Sequence, residues 1–392
     1  MEKKSHNKAR SSGHFPPYTV RYEASKTSLI LAMITTLAVG CARGNSLWNG
    51  HHKEPSNMAE LAALAQKESD DAVALKLSDL RQLPTHFREL GLFTDGSLDK
   101  PIWSLFRYNV KVSLWSDGLA KARFLYVPKG SAISFDDKTQ KLMLPKGTII
   151  LKHFSDDSRP VETRVMVNGN DGNWMMATYQ WNGKSEATRV DQPTVTPVGA
   201  FGDKRFRLPS PDECKQCHAP GNGVVLGFSP DQLNSPAAGT PQSALQELAA
   251  TPGAIERLFA KGTFDLINQT AKRPDPTDPS LSISLRARAY IDLNCAPCHN
   301  PKIPQNFIDL SLATGLTTDY PASLESFERV VPGNPSKSSL WRKYSDPLYR
   351  MPPLSRYQDP LGAQLLHDWI TEWPLPPAPS QISPDHQNTI PK

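Results

Sequence analysis

Asn294-Cys295-Ala296-Pro297-Cys298-His299 sets two thiols three residues apart, with an imidazole directly after the second. Thiols at that spacing can add to the two vinyl groups of a porphyrin while the adjacent histidine supplies a proximal nitrogen to its iron. Cys-x-x-Cys-His is the attachment sequence of a c-type haem. Fifty-two residues after His299 comes Met351, in Tyr349-Arg350-Met351-Pro352-Pro353-Leu354. A thioether there can close the sixth iron position, and His/Met ligation raises the reduction potential. The two following prolines restrict the backbone and help to hold a weak ligand in place.

A second copy, Cys214-Lys215-Gln216-Cys217-His218, lies 81 residues upstream. From the chain's own Cys and His content, about 0.002 such pentads are expected by chance, so two are a signal. The expectation is two covalently bound haem c groups on Cys214, Cys217, Cys295 and Cys298. His218 and His299 then bind the irons, and Met351 is the distal ligand of the second. Zinc is the competing use of such residues, but a histidine immediately after the second cysteine points away from a shared tetrahedron. A thioredoxin-like disulfide would need a βαβ context, which neither copy has.

The sixth ligand of the first haem is not given by the same pattern. Between His218 and Met351 there is no other methionine, and the one further histidine is His299. The position is open, filled by a group such as Lys or Asn, or reached from outside that span. Met143, His153, Met166, Met175 and Met176 are the outside candidates, and each also reads as core packing. Strand alternation puts Met175 and Met176 on opposite faces.

The elements that position these residues divide the chain by composition. Residues 1–41 read as an export leader and 42–99 as a polar tether with short helices. Residues 100–200 are β-rich, with runs at Phe124–Val127, Thr148–Phe154, Thr163–Val167 and Trp174–Trp181 separated by Pro/Gly and Asn/Gly/Asp turns. That spacing predicts an antiparallel sandwich or barrel. Residues 201–281 hold the first haem motif. Residues 282–374 form a cytochrome c unit, entered by a helix over Ser284–Leu293 and closed by one over Leu361–Trp369. Residues 375–392 are a Pro-rich disordered tail. The fold class expected is α+β and multidomain: a mostly antiparallel β domain, then an α-helical region carrying two haems.

The net charge of +5 comes from 44 basic and 39 acidic residues, and the first 28 residues alone carry six Lys/Arg against two acids. The remainder is nearly balanced, which gives no reason to expect a nucleic-acid partner. Four of the five cysteines belong to the haem motifs. The fifth, Cys41, follows the apolar run Leu29–Gly40, too short for a membrane span and the right length for a signal-peptide core. Leu37-Ala38-Val39-Gly40-Cys41 resembles the lipobox of bacterial lipoproteins, with Ala38 where that pattern has a larger aliphatic residue. Acylation of Cys41 would anchor the exported chain to a membrane, in the periplasm or at the cell surface.

LNCAPCHNP, VVPGNPSKSSLWRK, RMPPL and HDWI resemble a widespread group of small bacterial c-type cytochrome domains. VSLWSDGLAKARFLYVPKG, ETRVMV and PSPDECKQCHAP resemble a bacterial family of diheme c-type cytochrome lipoproteins, and the likeness covers roughly residues 93–373. The β-region motifs mark that family without bringing any chemistry with them. Electron transfer is the function this implies, from a partner dehydrogenase to a soluble cytochrome or terminal reductase. The alternative is a diheme peroxidase- or oxidase-like enzyme that uses an open coordination position on the first haem.

Overall fold

A computed structural model of the chain describes residues 76–373 apart from 95–97, 99, 103, 158, 200–203, 219–224, 237–239, 271, 300–309 and 311–328. Cys41, the expected leader, most of the tether and the Pro-rich tail lie outside the described residues. No helix among the described residues is long and apolar enough to cross a membrane.

Runs rich in Val, Ile, Thr and aromatic residues pair as antiparallel strands because such side chains suit a pleated, half-buried surface. The strands are β1 (Phe106–Arg107), β2 (Ala120–Tyr126), β3 (Ser134–Asp136), β4 (Lys141–Met143), β5 (Ile149–Asp156), β6 (Arg159–Asn168), β7 (Trp174–Asn182), β8 (Glu186–Val190), β9 (Thr194–Val198) and β10 (Lys204–Leu208). Six of them form one sheet in the order β1-β2-β5-β6-β7-β8, while β3-β4 and β9-β10 are separate hairpins. β6 and β7 are joined through the Asn/Gly/Asp loop as the sequence predicts. The Pro145-Lys146-Gly147 turn needs glycine, since Gly147 stands at φ +79° and a Cβ there would strike Pro128.

This mixed antiparallel-sheet and helix architecture is the α+β class expected. The sandwich or barrel is not what forms: β1 and β8 end the sheet without pairing to each other. Its second layer is helical instead. One face carries Phe124, Tyr126, Leu151, Val165, Tyr179 and Trp181, covered by the segment from Leu77 to Leu105. The opposite face carries Leu125, Ile150, Met166 and Met176. It is covered by short helices α2 (Pro230–Leu233), α3 (Ala244–Ala249), α4 (Ala254–Leu258) and α5 (Thr263–Gln269), which bring Leu233, Leu245, Leu248 and Ile267. Burial of that apolar layer, at about 25 cal/mol per Å², explains why the sheet needs no second sheet.

Three further helices and their loops make a separate apolar cluster. α6 (Ile283–Asn294) is capped by Ser282, whose hydroxyl accepts from Leu285 N at 3.3 Å. α8 (Pro360–Glu372) is capped by Asp359, and α7 (Ser339–Ser345) lies between them in sequence. Gly362 lets α8 approach α6, because a Cβ there would strike the Tyr290 ring and the Tyr344 hydroxyl. Tyr290 and Tyr344 hydroxyls lie 3.2 Å apart, and Tyr344 donates to Asp359 O at 2.9 Å.

His153 is buried within the sheet, 2.9 Å from Thr163 Oγ1, which also accepts from Trp181 Nε1 at 2.8 Å. Burial outweighs the backbone hydrogen bond to Glu162 and lowers its pKa from 6.5 to about 4. The unfolded chain therefore binds a proton that the folded one refuses, and stability rises with pH between those values. This contribution is complete above about pH 6.5 and is lost as pH falls toward 4; its ceiling is about 3 kcal/mol. His153→Gln is expected to flatten that part of the acid limb in urea unfolding measured across the window. An unchanged slope would refute the assignment.

Candidate haem-attachment site

The first motif sits on α1 (Pro211–Cys217), a two-turn helix set by its first residues. Pro211 occupies the first helical position, Ser210 Oγ accepts from Glu213 N at 3.3 Å, and Glu213 Oε2 accepts from Ser210 N at 3.1 Å. This reciprocal cap fixes where the helix begins. Cys214 is buried toward β7, and burial raises its thiol pKa. His218 caps the C-terminus and donates from its backbone N–H to Cys214 O at 3.0 Å.

The second motif follows α6 directly. Cys295 caps that helix, and Cys298 N and His299 N both donate to Cys295 O, at 3.1 and 2.9 Å. This tight turn places Cys295, Cys298 and His299 on one wall of a cavity of about 540 Å³. Met351 lines the same cavity, with Tyr344 and Leu366 among the rest of its lining. Met351 is 40% exposed, although its N–H donates to Lys343 O at 2.9 Å and so holds the loop. Burial pushes the Cys295 thiol up to about 12. His299 carries a buried ring nitrogen with no hydrogen-bond partner among the described residues.

The two motifs meet. Cys217 Sγ and Cys298 Sγ lie 2.7 Å apart, longer than a disulfide of about 2.05 Å and shorter than an ordinary non-bonded contact. The contact with Cys298, followed by burial, pushes the Cys217 thiol well up. Both sulfurs border the larger cavity and also a cleft of about 140 Å³ between α1 and the sheet, where Cys214 and His218 stand.

The larger cavity is lined by the donor types that a covalently held porphyrin needs. It falls in the range of about 300–1,000 Å³ that ligand pockets occupy, and Cys295, Cys298, His299 and Met351 all line it. Among the described residues no group of three or more His, Cys, Asp or Glu side chains is arranged to hold a metal ion. At the first motif Cys214, Cys217 and His218 line the cleft, with no methionine among the described residues that line it. Of the outside candidates, Met166 and Met176 pack under the short helices, Met175 packs on the opposite face, and Met143 is exposed on β4. His153 is engaged with Thr163. None of the five lines the cleft.

Two residues that sequence reasoning did not single out hold the site together. Trp115 N donates to Asn294 Oδ1 at 2.8 Å, and Trp115 Nε1 donates to Tyr357 O at 2.9 Å. The Asp117 carboxylate accepts from Arg356 N at 3.1 Å and from Tyr357 N at 3.0 Å. The loop before β2 thus clamps the residue preceding Cys295 to the loop carrying Met351. Its only trace in the sequence is the conspicuous VSLWSDGL run, which assigns no partner.

Trp115→Phe removes the bond to Tyr357 at a cost of about 1 kcal/mol. It is expected to raise tryptic cleavage after Arg350 and Arg356 about fivefold, since cleavage follows local opening; an unchanged rate would refute the clamp. Comparison with protein-family models, curated proteins and solved structures gave no match.

Proposed function

We propose that this chain is an exported diheme c-type cytochrome that transfers electrons through two covalently bound haems at a membrane surface. The observation that carries this reading is the presence of two Cys-x-x-Cys-His motifs, 81 residues apart in sequence, whose Cys217 and Cys298 border the same two cavities. The haems, once bound, supply reversible one-electron chemistry.

The chain's own residues divide the work. Cys214 and Cys217 hold one haem, Cys295 and Cys298 the other, and His218 and His299 provide the proximal nitrogens. Met351 provides the distal sulfur at the second site. Its exposure toward the cavity and its short backbone tether to Lys343 suit a ligand held by its loop. The apolar lining beside His299, from Leu310, Leu340 and Leu366, would limit water around a bound haem, which favours the less charged, reduced state and adds to the effect of His/Met ligation. Cys41 carries the lipid anchor, and the partners are redox proteins such as a dehydrogenase, a soluble cytochrome or a terminal reductase.

A second reading is favoured by one observation: among the described residues no methionine lines the cleft at His218. An open position there would suit a peroxidase- or oxidase-like diheme enzyme.

The purified protein is expected to show two haems by pyridine haemochrome assay, with Cys214→Ser/Cys217→Ser retaining one. No covalent haem on either motif would refute the reading. Met351→Ala should lower the midpoint potential of one haem and leave the other in place; unchanged potentials would remove its assignment. Ferrous protein that binds CO and turns over peroxide supports the enzyme, whereas two low-spin, unreactive haems support the carrier.

A further inference from the structure

The face of the sheet above the first motif is charged in an unusual order. Going from the helix-covered end toward α1, the register first gives the apolar row Leu125, Ile150, Met166 and Met176. The next row on the same face is Arg123, Lys152, Arg164 and Thr178, directly opposite one another on β2, β5, β6 and β7. The row after that is Lys121, Phe154, Glu162 and Gln180. Like charges directly across a ladder repel, yet three cations stand side by side and a fourth lies one row away.

The carboxylates nearby do not balance them. Glu162, fully buried, pairs with Arg164 at 2.6 Å, and Glu213 pairs with Arg207. Asp117 accepts from the backbone of the Met351 loop. The hydrogen-bond acceptors of Lys121, Arg123 and Lys152 are neutral: Leu114 O, Ser113 Oγ at 2.7 Å and Leu226 O at 3.5 Å, respectively. Glu162 attracts Lys121 and Lys152, and Asp359 attracts Lys121, by charge, which leaves four cations against two carboxylates. All three line the cleft that holds Cys214, Cys217 and His218. Burial, then the neighbouring cations, lowers Lys152 to about 7 and Lys121 well below its usual range. Buried charge is retained where something pairs with it.

We propose that Lys121, Arg123 and Lys152 form a cradle for carboxylate groups, and that the propionates of the haem on the first motif occupy it. This rests on the diheme reading above. It also gives the β domain a part in the redox site. Its sheet supplies the charged wall against which the first haem is seated, and its apolar rows carry the covering helices.

A free carboxylate or oxyanion has the same chemistry, so the test separates the two sources. Lys152→Gln and Arg123→Gln are compared with Lys138→Gln, on the exposed β3–β4 turn. If propionates fill the cradle, both cradle variants keep two haems but lower one midpoint potential. The expected change is about tenfold in that haem's reduction equilibrium, about 59 mV for one electron. Their propionate bending bands shift in resonance Raman spectra, while Lys138→Gln matches the parent in both respects. Two attached haems with parent-like potentials and bands would overturn the cradle alone. Calorimetry with acetate and with inorganic phosphate on the holoprotein is the other arm: binding that weakens in Lys152→Gln would assign the cradle to a free anion and overturn the propionate assignment. Loss of haem attachment at Cys214 and Cys217 in the unsubstituted protein would overturn the diheme reading itself, and the cradle with it.

Discussion

Two sulfurs from distant parts of the chain share one small space, and much of the remaining structure serves to keep them there. Cys217 ends α1 and Cys298 lies in the turn after α6. Neither short element could fix that meeting alone: a seven-residue helix is far below the length that is stable in water by itself. α1 is held by its reciprocal cap and by the pairing of Glu213 with Arg207 of β10. α6 is held by its packing on α8, made possible at Gly362. The Trp115–Asp117 loop ties the second motif to the methionine loop. Remove any one support and the boundary between the two motifs loosens.

The sheet is built to be asymmetric. Its outer face is apolar from Phe124 and Tyr126 across to Trp181 and is closed by the segment from Leu77 to Leu105. Its inner face is apolar for part of its length and cationic for the rest. Folding energy comes from the apolar rows, at about 25 cal/mol per Å² buried, and the charged rows work against it. A fold that keeps repelling cations beside an attachment motif spends stability on a site, as functional regions commonly do.

The proposed chemistry is legible in the sequence because its signature is local. A Cys-x-x-Cys-His pentad carries its meaning in five adjacent residues, and Met351 stands out through Met-Pro-Pro. The strands around Ile149–Asp156 and Trp174–Asn182 were legible from β-branched and aromatic runs, and α6 and α8 from their periodicity. What could not be read is pairing. Arg123, Lys152 and Arg164 look like scattered surface charges until the register sets them in one row. Asn294 reads as the residue before a motif and nothing singles out Trp115; their contact spans 179 residues. The sandwich expectation failed for a related reason. Strand spacing says how many strands there are, while the layer that covers them came from helices of four to seven residues, too short to announce themselves.

The span of the Trp115 contacts bears on how the molecule is put together. Its bonds to Asn294 and Tyr357 close loops of 179 and 242 residues. Loop-closure entropy grows only logarithmically, so such a closure costs about 2–3 kcal/mol more than a 15-residue turn. The cost in time is larger, because contacts of high sequence separation slow folding. The sheet, with its neighbouring antiparallel pairs, and the α6–α8 unit can each form before that clamp closes. The clamp therefore fastens together parts of the chain that are each already held by contacts much closer in sequence.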